Sequence, residues 1–213
     1  MTLYTRWVIA TVGSAVAGYM LTLPIYRHAA ALGLGERFTY WQAIGSLIEL
    51  AVFVMVTYWA LAPVFPNLKL SRYAAFTILP TIITLVLYGM VDADIHGAAG
   101  SAPPPDAGAS NALATLIVAG PLLLGVAWVI FSLQWLSLSE AADGYRPWIT
   151  WSLAGMVASM LVNAIVEQVW GGTPFAEMTT AGQQLAAYLY AVAVSSAFGI
   201  VSGFGVAQLR EKP

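Results

Sequence analysis

The sequence contains long apolar stretches at residues 7–26, 41–62, 73–91, 112–136, 147–170 and 183–209. Each has the length of about 20 residues that an α-helix needs to cross a hydrocarbon core of ~30 Å. Backbone groups find no water partner in lipid, and the stretches lack the short alternating pattern of a β-barrel. The pattern therefore predicts an all-α polytopic integral membrane protein, a single domain of six transmembrane helices.

The composition of the chain is too apolar for a soluble domain. Of its 213 residues, 60% are hydrophobic and 8% are charged, whereas charged residues make up about a quarter of an ordinary soluble domain. Eight Lys and Arg residues cannot form a basic surface that neutralises phosphates. We therefore expect the lipid bilayer, and no nucleic acid, as the partner. The chain has no cysteine, which excludes disulfides and thiolate metal sites.

The distribution of positive charge predicts how the chain is oriented. Six spans place both termini on the same side of the membrane, and Lys and Arg accumulate on the cytoplasmic side. The residues on the side of the termini are Arg6, Lys69, Arg72, Arg146, Arg210 and Lys212. Only Arg27 and Arg37 fall on the other side. The sequence predicts cytoplasmic N and C termini, in a multi-pass protein of the cell (plasma or inner) membrane.

The longest stretch without a predicted helix, residues 97–111, reads GAAGSAPPPDAGASN. Its small residues and three consecutive prolines cannot form a buried core. We expect a flexible outer loop between the third and fourth helices.

Small residues recur at a spacing of four in two of the predicted helices. Gly199 and Gly203 form a GxxxG pair in the sixth helix, and Ser14 and Gly18 form a similar pair in the first. Such pairs let helix backbones approach closely in lipid. The favoured interpretation is packing within one chain, and the alternative is the seam of a homo-oligomer.

Polar side chains inside the apolar stretches give the main candidate site. At ~1.5 Å per residue, Glu49 lies ~12 Å below the outer interface and Asn163 ~10 Å below it, and Glu167 lies one turn above Asn163. A charged residue in a span is costly and normally faces protein or water. The three residues therefore predict an outward-facing cavity that binds a ligand or relays protons. The alternative is that Glu49 only hydrogen-bonds to a neighbouring helix.

A second group of polar residues lies at the outer end of the third predicted helix. Asp92 and His96 are four residues apart and share a helix face, Asp94 lies between them, and His28 ends the first helix. Carboxylate and imidazole groups at this spacing can hold a divalent metal ion. The sequence thus offers a metal site on the outer face, with a solvated helix end as the alternative.

Several motifs of known chemistry are absent from the sequence. It has no phosphate-binding glycine loop for a nucleotide, no paired intramembrane histidines for a haem, and no lysine in the last helix for a retinal Schiff base. The leading hypothesis is a small-solute or proton/ion transporter or channel-like protein. The alternatives are a non-catalytic subunit or assembly factor of a larger membrane complex, and a membrane-embedded enzyme for a lipidic or isoprenoid substrate, with or without a metal. The inner halves of the helices, whose chief polar groups are Gln134 and Gln208, show no polar path across the membrane.

Overall fold

The computed structural model describes residues 1–31, 40–83, 108–171 and 180–212. Its helices are α1 (Leu3–Ala31), α2 (Tyr40–Leu61), α3 (described over Leu70–Ile83), α4 (Gly108–Leu138), α5 (Tyr145–Gly171) and α6 (Thr180–Val206). Two short strands, β1 (Ala142–Asp143) and β2 (Arg210–Glu211), pair in an antiparallel ribbon. Within these ranges the fold is therefore all-helical apart from this ribbon, as the sequence predicts.

Four of the helices, α1, α2, α5 and α6, are long and apolar enough to cross a membrane. The described part of α3 and the stretch Leu124–Leu138 of α4 are apolar but shorter. The predicted start of α4 is wrong, because the helix begins at Gly108 and includes the last four residues of the predicted loop. Hydropathy misses this turn, which consists of small and polar residues, although alanine favours helix and the prolines end at Pro105. α6 ends at Val206, three residues before the predicted end at residue 209, and the chain then continues to β2.

The surface of the protein is apolar, and many of its buried residues are polar. Large exposed side chains include Met20, Leu21, Leu161 and Ile165. Buried polar side chains are mostly small hydroxyls, namely Thr11, Ser14, Thr22, Thr57, Thr77, Ser137, Ser152, Ser159 and Ser202. Seven of these nine hydroxyls donate to a carbonyl of their own helix. The Thr22 hydroxyl lies within bonding distance of both the Gly18 carbonyl and Glu49, and Ser152 makes no hydrogen bond among the described residues. Soluble monomers rarely expose so much apolar surface, and we conclude that the chain is a membrane protein.

The six helices that the structure describes follow one another around a closed ring. α1 packs against α2 and α6, and α5 packs against α4 and α6. α3 closes the gap between α2 and α4. The Tyr73 hydroxyl lies 3.0 Å from that of Thr57 in α2, and Gln134 Nε2 of α4 donates to Thr77 Oγ1 at 3.2 Å. Each helix therefore contacts the next, and α6 returns to α1.

Short contacts fasten one end of the ring, where α1 begins and α6 ends; we call it the terminal end. β2 follows α6 and pairs with β1, which lies in the connection between α4 and α5. Gly144 completes this connection with a φ of 129°, a conformation that side chains disfavour. Lys212 donates to the Ser139 carbonyl and lies 3.5 Å from the Asp143 carboxylate, and Arg72 pairs with Glu140. The connections between helices at the terminal end are therefore held in place by strand pairing and side-chain contacts.

The GxxxG pair of α6 packs against α1 of the same chain. A methyl carbon added at Gly199 would lie 3.0 Å from Thr11 Cβ, and one at Gly203 would lie 2.9 Å from the Tyr4 ring. Gly18 instead faces α2, because its added carbon would lie 3.2 Å from Glu49 Cγ. The small residues of α1 and α6 therefore serve intramolecular packing.

Candidate functional site

A cavity of about 130 Å³ lies inside the ring. All six helices contribute to its wall, with Trp7, Phe53, Thr77, Gln134, Ser152 and Phe198 as one residue from each. No described residue that lines the cavity is ionisable. The cavity is thus a neutral space at the common centre of the helices.

The cavity lies in the half of the ring nearer the terminal end. Trp7 is the fifth residue of α1, Trp148 is the fourth residue of α5, and Gln134 lies four residues before the end of α4. At ~1.5 Å per residue, these wall residues lie ~5–6 Å from the ends of their helices. Thr81 and Leu50 line the cavity further inside.

Two aromatic pairs build much of the wall. The rings of Trp7 and Trp148 meet edge to face with centroids 5.8 Å apart, and those of Phe131 and Phe198 stack at 6.1 Å. Both indole N–H groups already donate a hydrogen bond within the protein. Trp7 Nε1 donates to Ser202 Oγ at 2.9 Å, and Trp148 Nε1 donates to the Phe131 carbonyl at 3.2 Å. These hydrogen bonds fix the indole rings and leave ring carbon to face the cavity.

The polar part of the wall centres on Gln134. Its Nε2 donates to the Tyr73 hydroxyl at 3.3 Å and to Thr77 Oγ1 at 3.2 Å. Within the described part of the chain, Gln134 Oε1 and the Ser152 hydroxyl make no hydrogen bond, although the two residues are only 4% and 1% exposed. Neither atom is sealed off, because among the described residues the only fully buried side-chain polar atom without a partner is Arg72 Nε. Both side chains line the cavity, which therefore offers a ligand two groups for hydrogen bonding.

Glu49, the main candidate from the sequence, lies at the interface of α1 and α2. It is half-buried, and its Oε1 accepts a hydrogen bond from Thr22 Oγ1 at 2.8 Å. The backbones approach closely here because α1 has Gly18 opposite Glu49. The next residue, Leu50, lines the cavity. Glu49 itself is not one of the lining residues, and its carboxylate contacts the neighbouring helix.

Asn163 lies at a different helix interface. It accepts a hydrogen bond from the Tyr190 hydroxyl, which joins α5 to α6. Glu167 follows one turn later in α5, and its side chain is outside the described part of the structure. The structure thus places Glu49 and Asn163 at two interfaces, and their shared site stays a prediction.

The side chains of the predicted metal ligands lie outside the part of the chain that the structure describes. Asp92, Asp94 and His96 lie outside the described residues, as does the side chain of His28 at the end of α1. In the described ranges there is no group of three or more His, Asp or Glu side chains that would hold a metal ion. The outer metal site therefore stays a prediction.

The sequence interpretation passed over Gln134 and Ser152 as site residues. One signal for Gln134 was present, since it is the only Gln, Asn or charged residue in the apolar stretch 112–136. Ser152 gave no signal, because serine is common in membrane helices and the apolar residues around it have no preferred face.

Comparison of the chain with protein-family models, with curated proteins and with solved structures finds no match.

Proposed function

We propose that the chain is a six-span protein of the cell membrane with both termini in the cytoplasm, and that it transports a small solute through its helix ring. The orientation rests on the excess of Lys and Arg near the terminal end. α3 and α4 complete the count of spans, because they stand between spanning helices in the ring.

A topology measurement tests the orientation. The chain has no cysteine, so a single introduced cysteine reports one position. Thr2→Cys and Asn67→Cys lie at exposed sites of the terminal end, and Ser101→Cys lies in the 97–111 segment. We expect a membrane-impermeant maleimide to label Ser101→Cys on intact cells, and to label the other two only after permeabilisation. Equal labelling of Asn67→Cys and Ser101→Cys on intact cells contradicts the proposed orientation.

One observation carries the proposal of transport: all six helices line a single cavity. Membrane transporters bind their solutes inside the bundle, where helices converge and polar groups are shielded from lipid. A cavity at a helix pair would serve packing equally well, whereas one lined by every helix is placed to open towards either side when the helices move.

Glu49 supplies the group that couples transport to protons. Ionisable residues in membrane spans are costly and commonly mark proton or ion pathways. The Glu49 carboxylate accepts from Thr22 of α1, and the adjacent Leu50 forms part of the cavity wall. Protonation of this carboxylate would weaken a charge-assisted hydrogen bond between α1 and α2. A resulting shift of α2 would move Leu50 in the wall of the cavity.

Proton flux into vesicles tests this role. The purified protein is reconstituted with an internal pH-sensitive dye, and a potassium gradient with valinomycin supplies the driving potential. We expect flux above that of protein-free vesicles for wild type, and its loss in Glu49→Gln. Glu140→Gln is the matched control, because Glu140 forms an exposed ion pair with Arg72 at the terminal end. Equal flux in wild type and Glu49→Gln, or no flux in wild type, overturns the role of Glu49.

A further inference from the structure

The unpaired groups of the central cavity indicate the chemistry of what it binds. Gln134 Oε1 and the Ser152 hydroxyl have no hydrogen-bond partner among the described residues, and both residues are more than nine-tenths buried. The orientation of the Gln134 side chain is also fixed by the hydrogen bonds from its Nε2 to Tyr73 and Thr77. Its amide is therefore fixed at the cavity wall, and Oε1 has no partner among the described residues. A ligand that pairs with these groups recovers a hydrogen bond that the protein alone leaves unmade.

The rest of the wall restricts the ligand to a neutral molecule with a ring. The described lining has no ionisable side chain, and a buried charge without a counter-ion is strongly disfavoured. The two aromatic pairs offer ring faces and edges, which favour another aromatic ring. The cavity measures about 130 Å³, close to the roughly 150 Å³ of an apolar cavity that holds benzene.

We propose that this cavity, between Gln134 and Ser152, binds a small neutral aromatic molecule that carries one hydroxyl group and is about the size of phenol. A hydroxyl group both donates and accepts, so it pairs with the Gln134 amide and with the Ser152 hydroxyl. The ring then lies against the tryptophan and phenylalanine pairs. The inference deepens the proposed function and rests on it in one respect, because the same cavity is assigned there to the transported solute.

Ligand-observed ¹⁹F NMR on the full chain in detergent tests the site with 4-fluorophenol as the probe. Fluorobenzene has the same ring without the hydroxyl group and serves as the matched probe. Both probes partition into micelles, and Ser152→Phe corrects for this because it fills the cavity. We expect saturable line broadening of 4-fluorophenol with wild type and none with Ser152→Phe beyond the micelle background.

Two further variants separate hydrogen bonding from packing. Ser152→Ala removes a hydroxyl that has no protein partner, so the fold is retained and the Kd of 4-fluorophenol rises several-fold while that of fluorobenzene does not change. Gln134→Leu raises the Kd of 4-fluorophenol about tenfold. Ser159→Ala is the control on the same helix, because Ser159 lies two turns away and donates to the Met156 carbonyl. It leaves both Kd values unchanged.

Four results overturn the proposal. The first is identical broadening of 4-fluorophenol in wild type and Ser152→Phe, which shows micelle partition alone. The second is equal Kd values of the two probes, and the third is a Ser152→Ala effect shared by both. The fourth is displacement of 4-fluorophenol by tetramethylammonium, which shows a cation site. Because the measurement needs no flux, binding without proton transport refutes only the proposed function, and transport without binding refutes only the ligand class.

Discussion

The two halves of the helix ring differ in the side chains that join their described helices. In the half at the terminal end, one side chain links several helices. Trp7 of α1 donates to Ser202 of α6 and packs on Trp148 of α5. In the far half, the described contacts include those of Glu49 with Thr22, of Tyr19 with Tyr188 and of Asn163 with Tyr190, which lie between α1 and α2, between α1 and α6, and between α5 and α6. The described side chains of the terminal half therefore interlock three helices at one point, as in a protein core.

The difference shows where a membrane protein places its polar groups. The ionisable Glu49 is held at one interface, whereas the neutral Gln134 and Ser152 line the space where the helices converge. Burial of a neutral amide or hydroxyl costs less than burial of a charge. The strongest polar signal in the sequence therefore does not coincide with the cavity.

The largest expected difference between the halves comes from two aromatic residues of α1. Trp7 is 1% exposed, and Trp7→Ala removes its packing and its hydrogen bond to Ser202, at a cost of about 3–5 kcal/mol in the free energy of unfolding. Tyr19→Ala removes a half-buried ring with an edge contact to Tyr188, at a cost of about 1–2 kcal/mol. Unfolding in detergent measures both. Equal losses would contradict the comparison.

Substitution of single glycines by alanine is expected to change the free energy of unfolding by a smaller amount that depends on position. A methyl carbon at Gly205, near the terminal end, would lie 2.6 Å from the Pro147 carbonyl oxygen, whereas at Gly18 its nearest neighbour lies at 3.2 Å. Gly205→Ala is expected to lower the free energy of unfolding by about 2 kcal/mol, and Gly18→Ala by less than about 1 kcal/mol. At Gly13 no atom lies within 4 Å, so Gly13→Ala is the control and keeps wild-type stability. Loss of stability in Gly13→Ala would show that the effect is not steric.

The smallest effect concerns the hydrogen bond between α1 and α2. Thr22→Val removes the donor to Glu49 and is expected to cost about 0.6 kcal/mol, the mean for such bonds in membranes. Glu49→Gln keeps an oxygen that accepts from Thr22 but removes the charge, so we expect it to cost no more than Thr22→Val. Thermal unfolding in detergent compares the two variants. A larger loss in Glu49→Gln than in Thr22→Val would assign Glu49 to structure alone, and its use in the flux experiment would then be invalid.

The sequence predicted the helices well because length and hydropathy suffice for that step. It placed the start of α4 too late, since the turn from Gly108 consists of small and polar residues. The cavity could not be predicted, because helices that are apolar on all faces give no periodicity that shows which face turns inward. Gln134 and Ser152 meet only through the rotation of α4 and α5 in the ring. Glu49 was identified as a polar group in a span, but its partner in α1 depends on how α1 and α2 pack.

The closed ring also sets an order for assembly. The indole of Trp7 pairs with a hydroxyl 195 residues later in the chain, and a ribosome that adds ~5–20 residues per second needs roughly 10–40 s to make that stretch. α1 can pair with α2 early, but its opposite side faces lipid or another protein until α6 is inserted. During this interval Trp7 and Thr11 are a surface open to mispairing with a neighbouring copy. Insertion of α6 is therefore the step that commits the nascent chain to a single closed molecule.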